Sequence, residues 1–250
     1  MNNNITKETT FIDLGLIDYE KALAFQTGLF NGILATKSEN RSLSESAQKP
    51  TENFLVFCEH PHVFTLGRNG DEKNLLIPKE ELSTINARYY PVTRGGDVTY
   101  HGPGQIVVYP VLDLENFFTD IHRYMRTLEE SAIQTLENYG IGSGRIPGLT
   151  GVWIDAENEG RARKIAALGV KSSRWVTLHG MAFNVNPDVH YFDYIVPCGI
   201  KDKAVTSMKI ETGVEQNLQE VKEVLKEKIR LLFEMSFVED RSVELYKKKI

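Results

Sequence analysis

The chain has 250 residues, 41% hydrophobic and 25% charged, an ordinary globular composition with length enough to bury a sizeable core. Disordered and fibrous polymers are excluded. Its formal net charge of -5, from 34 acidic against 29 basic side chains, supplies no global positive field for nucleic acid, so an acidic partner must be met by a local basic patch. The opening MNNNITKETTFIDLG has neither a basic n-region nor an apolar h-region, and no run of about 18 apolar residues occurs, so a cytoplasmic protein without a membrane partner is expected. The two cysteines, Cys58 and Cys198, cannot make a disulfide framework and suit a reducing compartment.

From Asp18 to Leu34 the residues Ala22, Leu23, Phe25, Leu29, Phe30, Ile33 and Leu34 mostly recur in three- and four-residue steps, which predicts an amphipathic helix with Asp18 as N-cap. Thr36 to Glu52 shows no hydrophobic period and reads as an exposed polar insertion. FLVFCEH, from Phe54, is short, apolar and β-prone, and Pro61 bends or ends it, so a buried strand is expected. A second helix fits Ile121 to Tyr139, with Asp120 to cap it and Gly140 to stop it. GVWID, the polar turn AENEG, KIAALGV and WVTLHGMAFNVN then follow so closely that an antiparallel meander is predicted. A last helix spans about Leu218 to Phe233. The intermixed elements, without a repeating βαβ rhythm, favour an α+β fold with helices on a mixed sheet. With no repeat or linker to divide it, the chain is expected to be one domain over 1–250, with 36–52 as an insertion and 209–250 as a C-terminal helical segment.

Three places invite chemistry. RGGDVTYHGPGQIVVY, from Arg94 to Tyr109, crowds glycines around Arg94 and His101; a tight turn explains the glycines but needs neither of these side chains. It is not a Walker A loop, because no Gly-Lys-Ser/Thr follows, and GIGSGRIPG at 140–148 has a proline where a dinucleotide-binding helix would open. Cys198, in IVPCGI, has a proline and a glycine as neighbours, which suits an accessible thiol and a packed core cysteine equally. Lys164 interrupts the apolar KIAALGV, where a lysine faces either a site or a sheet edge. Cys58, His60 and His62 alternate as a zinc triad on one strand face would, but Pro61 interrupts them and no fourth ligand is near, so no metal is expected.

Five segments in order, EHPHVFTLGR (59–68), RGGDVTYHGPGQ (94–105), KIAALG (164–169), HGMAFNVN (179–186) and IVPCGI (195–200), resemble the lipoyl(octanoyl) transferase family over most of the chain. The resemblance implies a mixed, largely antiparallel sheet flanked by helices, like the catalytic domains of biotin and lipoate protein ligases. It implies an acyltransferase that passes an octanoyl group from octanoyl-acyl carrier protein, through a thioester on Cys198, to a lysine of an acceptor protein. Acceptors would be lipoyl domains of 2-oxo acid dehydrogenase complexes and the glycine-cleavage carrier protein. Lys164 would lower the thiol pKa of Cys198. Substrate contacts would map to Arg94, Gly95, Gly96, Asp97, Val98, Thr99, Tyr100 and His101, to Ala167, Leu168 and Gly169, and to Gly180, Met181 and Ala182. Two positions depart from the family pattern. Asp97 stands in place of its usual Gln and leaves that contact open, and His62 stands in place of a second proline.

Exchange of one thioester for another needs no ATP, so no cofactor is expected. An ATP-dependent lipoate or biotin ligase on the same fold would have no use for Cys198. A non-catalytic acyl-binding module would need neither Cys198 nor Lys164. Arg161, Arg163, Lys171 and Arg174 form the densest basic cluster in the sequence and are the expected docking point for the acidic carrier protein.

Overall fold

The computed structural model describes residues 5–158, 160–196 and 204–238. Cys198 and the tail from 239 lie outside the described residues. β1 (Glu8–Leu16) leads into α1 (Tyr19–Asn40), and β2 (Phe54–Glu59) returns parallel to β1. The helix is the crossover that a parallel pair requires. β3 (Val63–Leu66), β4 (Arg88–Pro91) and β5 (Val98–His101) make a small sheet in the order β4-β3-β5.

β6 (Gln105–Val111) precedes α2 (Ile121–Glu137), and β7 (Gly144–Ile146), β8 (Leu149–Ile154), β9 (Arg163–Ser173) and β10 (Val176–Asn184) then form the expected antiparallel meander. β11 (Ala204–Val205), α3 (Met208–Thr212), α4 (Leu218–Phe233) and β12 (Ser236–Val238) close the described chain. Among the described residues the large sheet runs β12-β1-β2-β6-β10-β9-β8-β7, with β11 beside β9. It is parallel at β12-β1, β1-β2 and β11-β9 and antiparallel elsewhere, which is the expected mixed, largely antiparallel α+β architecture.

Period-two alternation separates the sheet's faces. Leu55, Phe57, Ile106, Val108 and Phe183 pack with Leu128 of α2 and Leu225 of α4. Ile12, Val56, Val107 and Val111 point the other way, against Ala22, Phe30 and Ile33 of α1. Asp18 caps α1 by accepting from Glu20 N at 2.9 Å, and Asp120 caps α2 by accepting from Arg123 N at 3.0 Å, as the sequence predicts. Gly140, at φ +69, follows the end of α2 in a conformation that costs glycine little.

Two expectations change. The polar insertion begins later than Thr36, because α1 runs on to Asn40. Lys37 anchors its last turn through ion pairs of 2.6 Å to Asp113 and 2.9 Å to Glu115. Asn40 then closes the loop by donating to Lys49 O at 2.7 Å and accepting from Lys49 N at 3.0 Å. The C-terminal segment is not only helical, since β12 adds a parallel strand to β1. β1 itself lies in a stretch whose polar start hides its alternation. No helix among the described residues is long and apolar enough to cross a membrane.

Candidate active site

A cavity of about 430 Å³ opens between the glycine loop 94–99, β9, β10 and the turn at Gly148–Thr150, with Tyr19 of α1 and Met125 of α2 completing its wall. That size falls in the usual range for small-ligand pockets. Segments far apart in sequence meet here: Arg94 to Thr99 with His101, Lys164, Ala167 to Gly169, and Gly180 to Ala182. The glycine loop is docked directly on β9, where Gly95 N donates to Val170 O at 3.0 Å. A side chain at Gly169 would place its Cβ 2.9 Å from Gly95 O and 3.0 Å from Arg94 Cδ, so the approach requires glycine.

Lys164 reaches this wall through an irregularity. In strict alternation it would share a face with Ala166 and Leu168, opposite Ala167 and Gly169. Between β8 and β9, however, Val152 pairs with Ala166 while the next residue, Trp153, pairs with Lys164, so Ile165 is an extra residue in β9. Ile165 and Ala166 both enter the core with Val152, and Lys164 is turned to the Ala167 face. Its ammonium lies 4.6 Å from the centroid of the Trp153 ring. On its other side, Val205 is its register partner and Thr206 N donates to Lys164 O at 2.9 Å. The chain thus re-enters beside Lys164 immediately after the segment that contains Cys198.

Arg94 is buried, and its guanidinium donates to Thr65 O at 2.8 Å, Thr65 Oγ1 at 2.9 Å and Gly95 O at 3.0 Å. Around it lie imidazoles that burial keeps neutral. His101 is pushed down to about 3, by burial first and then by His60, with Arg94 adding to the effect. Since Gln105 Oε1 accepts from His101 Nδ1 at 2.7 Å, the ring's one proton sits on Nδ1. His179 is also lowered to about 3, by burial and then by Arg94. It sits at φ +64, and its Nε2 has no protein partner among the described residues. His60 is lowered to about 4 by burial; its Nδ1–H donates to Ile17 O at 2.8 Å and its Nε2 accepts from Tyr109 Oη at 2.8 Å.

Every substrate position named from the sequence lines the cavity except Tyr100. On β5 it alternates away from Thr99 and His101 into the core of the small sheet, beside Phe64 and Phe192. The Asp97 carboxylate is turned to the loop before the small sheet's β4, accepting from Asn74 Nδ2, from Asp71 N at 3.2 Å and from Val98 N at 2.7 Å. The carboxylate is therefore held by donors of the protein itself. Cys58 and His60 meet, with Sγ 3.5 Å from Nε2, but His62 is turned away from both and stacks on Tyr191 at 4.0 Å, so the three do not converge. The basic cluster also comes apart. Arg163 and Lys171 stand at opposite ends of β9, about 26 Å apart at 3.3 Å per residue. Arg163 is engaged by Asp155 at 2.6 Å and by Glu211.

Sequence reasoning passed over Tyr19, Tyr109, Met125, Thr150 and His179, all of which line the cavity. Only His179 left a readable signal, since a histidine in the apolar run VTLHGMAF is as unexpected as Lys164 in KIAALGV.

The lipoyl protein ligase A/B catalytic domain matches residues 18–230 of this chain. An octanoyltransferase of Cytophaga hutchinsonii is 54% identical over 94% of this chain and 96% of its own length. An octanoyltransferase of Christiangramia forsetii is 53% identical over 92% of this chain and 97% of its own. Among solved structures, the bi-partite lipoate protein ligase of Thermoplasma acidophilum aligns with a TM-score of 0.63 at 17% identity, covering 97% of this chain and 91% of that one. Lipoate-protein ligase A bound with ATP aligns at 0.64 and 16% identity, covering 98% and 93%. These two structures share the fold. The extent of the family match and the identity to its curated relatives establish that the chain belongs to the lipoyl protein ligase A/B catalytic domain family and is an acyltransferase.

Proposed function

We propose that the chain, as one catalytic domain over 1–250, is an octanoyltransferase of protein lipoylation acting in the cytoplasm. The donor is octanoyl-acyl carrier protein, and the acceptors are lysines of lipoyl domains of 2-oxo acid dehydrogenase complexes and of the glycine-cleavage carrier protein. The observation that carries this reading is the convergence of Lys164, the Arg94 glycine loop and the 167–169 and 180–182 segments on one cavity, in a chain 54% identical to an octanoyltransferase.

The chemistry divides one difficult transfer into two easier ones. The Cys198 thiolate attacks the carrier thioester, the carbon–sulfur bond to the carrier breaks, and the carrier leaves as its thiol after taking up a proton. The acceptor lysine then attacks the Cys198 thioester as a neutral amine, loses a proton and displaces the Cys198 thiolate. A thiol of pKa ~8.5 is about 3% thiolate at pH 7, and lowering it by two units, an effect of ~2.7 kcal/mol, gives roughly three quarters. One ammonium at ~4 Å supplies about 4 kcal/mol at an effective dielectric near 20, so Lys164 at that distance from the thiol is sufficient for the task. The apolar side chains Val107, Leu149, Leu168 and Met181 provide the acyl wall. Gly95 and Val98 N–H are already committed to Val170 O and the Asp97 carboxylate, so any oxyanion donors are other groups.

Incubation with octanoyl-acyl carrier protein alone, read by intact-protein mass, tests the proposal. One octanoyl group should appear on the enzyme and pass to a lipoyl domain added afterwards. Transfer from octanoic acid and ATP, but not from the carrier thioester, would overturn it.

A further inference from the structure

The carboxylate of Glu129 on α2 is fully buried, and the mechanism makes no use of it. Its Oε2 accepts from Arg126 Nη1 at 2.6 Å and from Arg145 Nε at 3.0 Å. Its Oε1 accepts from the backbone N–H of Gly151 on β8 at 2.9 Å. Arg145 is held in turn by Glu130 Oε2 at 2.7 Å and by Arg126 O at 2.9 Å. Removing a carboxylate from water is costly, and a buried ion pair often stabilises a fold no better than packed apolar side chains would. Stability is therefore a poor reason for the cluster. What it does supply is a fixed position for Gly151.

That position matters because of what lies over it. Gly151 is at φ +128, where a side chain would be strained, and an added Cβ would meet Ala166 O at 2.7 Å, Lys164 Cε at 3.2 Å and Lys164 Cδ at 3.4 Å. The bare Cα is the trough along which the stem of Lys164 runs, two residues before Trp153, whose ring carries the ammonium. The β9 bulge turns Lys164 to the cavity face, and Gly151 keeps its path open. We infer that Glu129 is a positioning residue for Lys164, acting through Gly151 to fix where the ammonium stands in the cavity. The inference rests on Lys164 serving the proposed transfer.

Glu129→Gln keeps the shape but sets an amide N–H among donors, and Gly151→Ala fills the trough from the other side. In full-length protein with ¹³C-methylated lysines, the Lys164 resonance is assigned by its loss in Lys164→Ala. Both variants should move that resonance and lower kcat about tenfold or more, as ångström-scale misplacement of a catalytic group does, with KM for octanoyl-acyl carrier protein little changed. Glu130→Gln, which touches Arg145 but not Gly151, should do neither. Glu129→Gln should slow Lys164→Ala no further. A folded Glu129→Gln protein with an unmoved Lys164 resonance, or an equal fold-loss in the Lys164→Ala background, overturns the inference. Should Glu129→Gln not fold, Glu129→Asp, which keeps the charge but draws the carboxylate back from Gly151 N, decides by the same readings. Wild-type enzyme that takes no acyl group on Cys198 refutes the proposed transfer, whereas the resonance still judges the positioning.

Discussion

Lys164 and Trp153 are register partners across a one-residue bulge, and the lysine's ammonium lies 4.6 Å from the centre of the indole ring. Such a contact contributes about 0.5–2 kcal/mol, more when it is shielded from water. It also makes Trp153 a reporter on the site. With the exposed Trp175 changed to Phe, Lys164→Met should alter the emission of Trp153 in the folded protein. Identical emission spectra would show that the ammonium does not rest on this ring in solution.

Cys58 is fully buried on β2, and burial first, then Asp13, pushes its thiol pKa well up. The thiolate is the reactive species. Iodoacetamide at pH 8 should therefore label only the Cys198 peptide in native protein and reach Cys58 only on denaturation. Native labelling of Cys58 at a comparable rate would show that β2 opens more readily than its packing suggests.

Much of this fold is written in its periodicities, and the parts that are not have identifiable reasons. Asp18 and Asp120 announced their helices because a cap is a local event. The end of α1 was hidden because Asp113, which anchors Lys37, is far away in sequence. Lys164 was conspicuous as a charge in an apolar strand, yet the bulge that turns it to Ala167 depends on how β8 pairs with it. Tyr100 reads as a site residue because it lies between Thr99 and His101, and alternation alone sends it to the opposite face. Tyr19 and Met125 come from helices whose apolar residues resemble any other core.

His60, His101 and His179 link stability to pH. In the folded protein they stay neutral down to about 4, 3 and 3, whereas in the unfolded chain they protonate near 6.5. Protons therefore bind the unfolded state first, and the stability these rings permit is complete above pH 6.5 and lost as pH falls toward 4. Each contributes about 1.4 kcal/mol per pH unit within that window. The slope of unfolding free energy against pH between 6 and 4.5 should flatten by about one proton in His101→Asn. An unchanged slope would mean that the ring titrates alike in both states.

Asp97 ties the glycine loop to the loop around Asn74 through two accepted hydrogen bonds and accepts a third from its neighbour Val98 N. Asp97→Ala should cost about 1 kcal/mol, because the donors it leaves are exposed or only partly buried and water can reach them, and speed amide exchange in residues 68–74. Turnover should fall less than in Arg94→Ala, whose guanidinium braces the glycine loop through Thr65 and Gly95 O. Equal losses of turnover would mean that the Asp97 carboxylate acts on substrate and does not merely hold the loop.

Cys198 and Lys164 form one catalytic unit in the proposed reaction, and the unit can be tested from both ends. Lys164 lies on the cavity wall with Val205 as its strand partner, close in sequence to the segment that holds Cys198. If its ammonium holds the thiolate, Lys164→Ala should raise the Cys198 pKa toward ~8.5 and move the pH profile of alkylation upward. At pH 7 the thiolate fraction would fall from roughly three quarters to about 3%, a loss of some twenty-five-fold in nucleophile alone. Raising the pH should therefore restore part of the variant's acylation rate. Cys198→Ala should abolish both the covalent species and the transfer. In wild type the added octanoyl mass should map to the Cys198 peptide and be released by hydroxylamine. An acyl group found on Cys58, or transfer by Cys198→Ala at the wild-type rate, would eliminate the thioester route. Direct attack of the acceptor lysine on the carrier thioester would then have to replace it, and Lys164 would need a role that does not pass through a thiol.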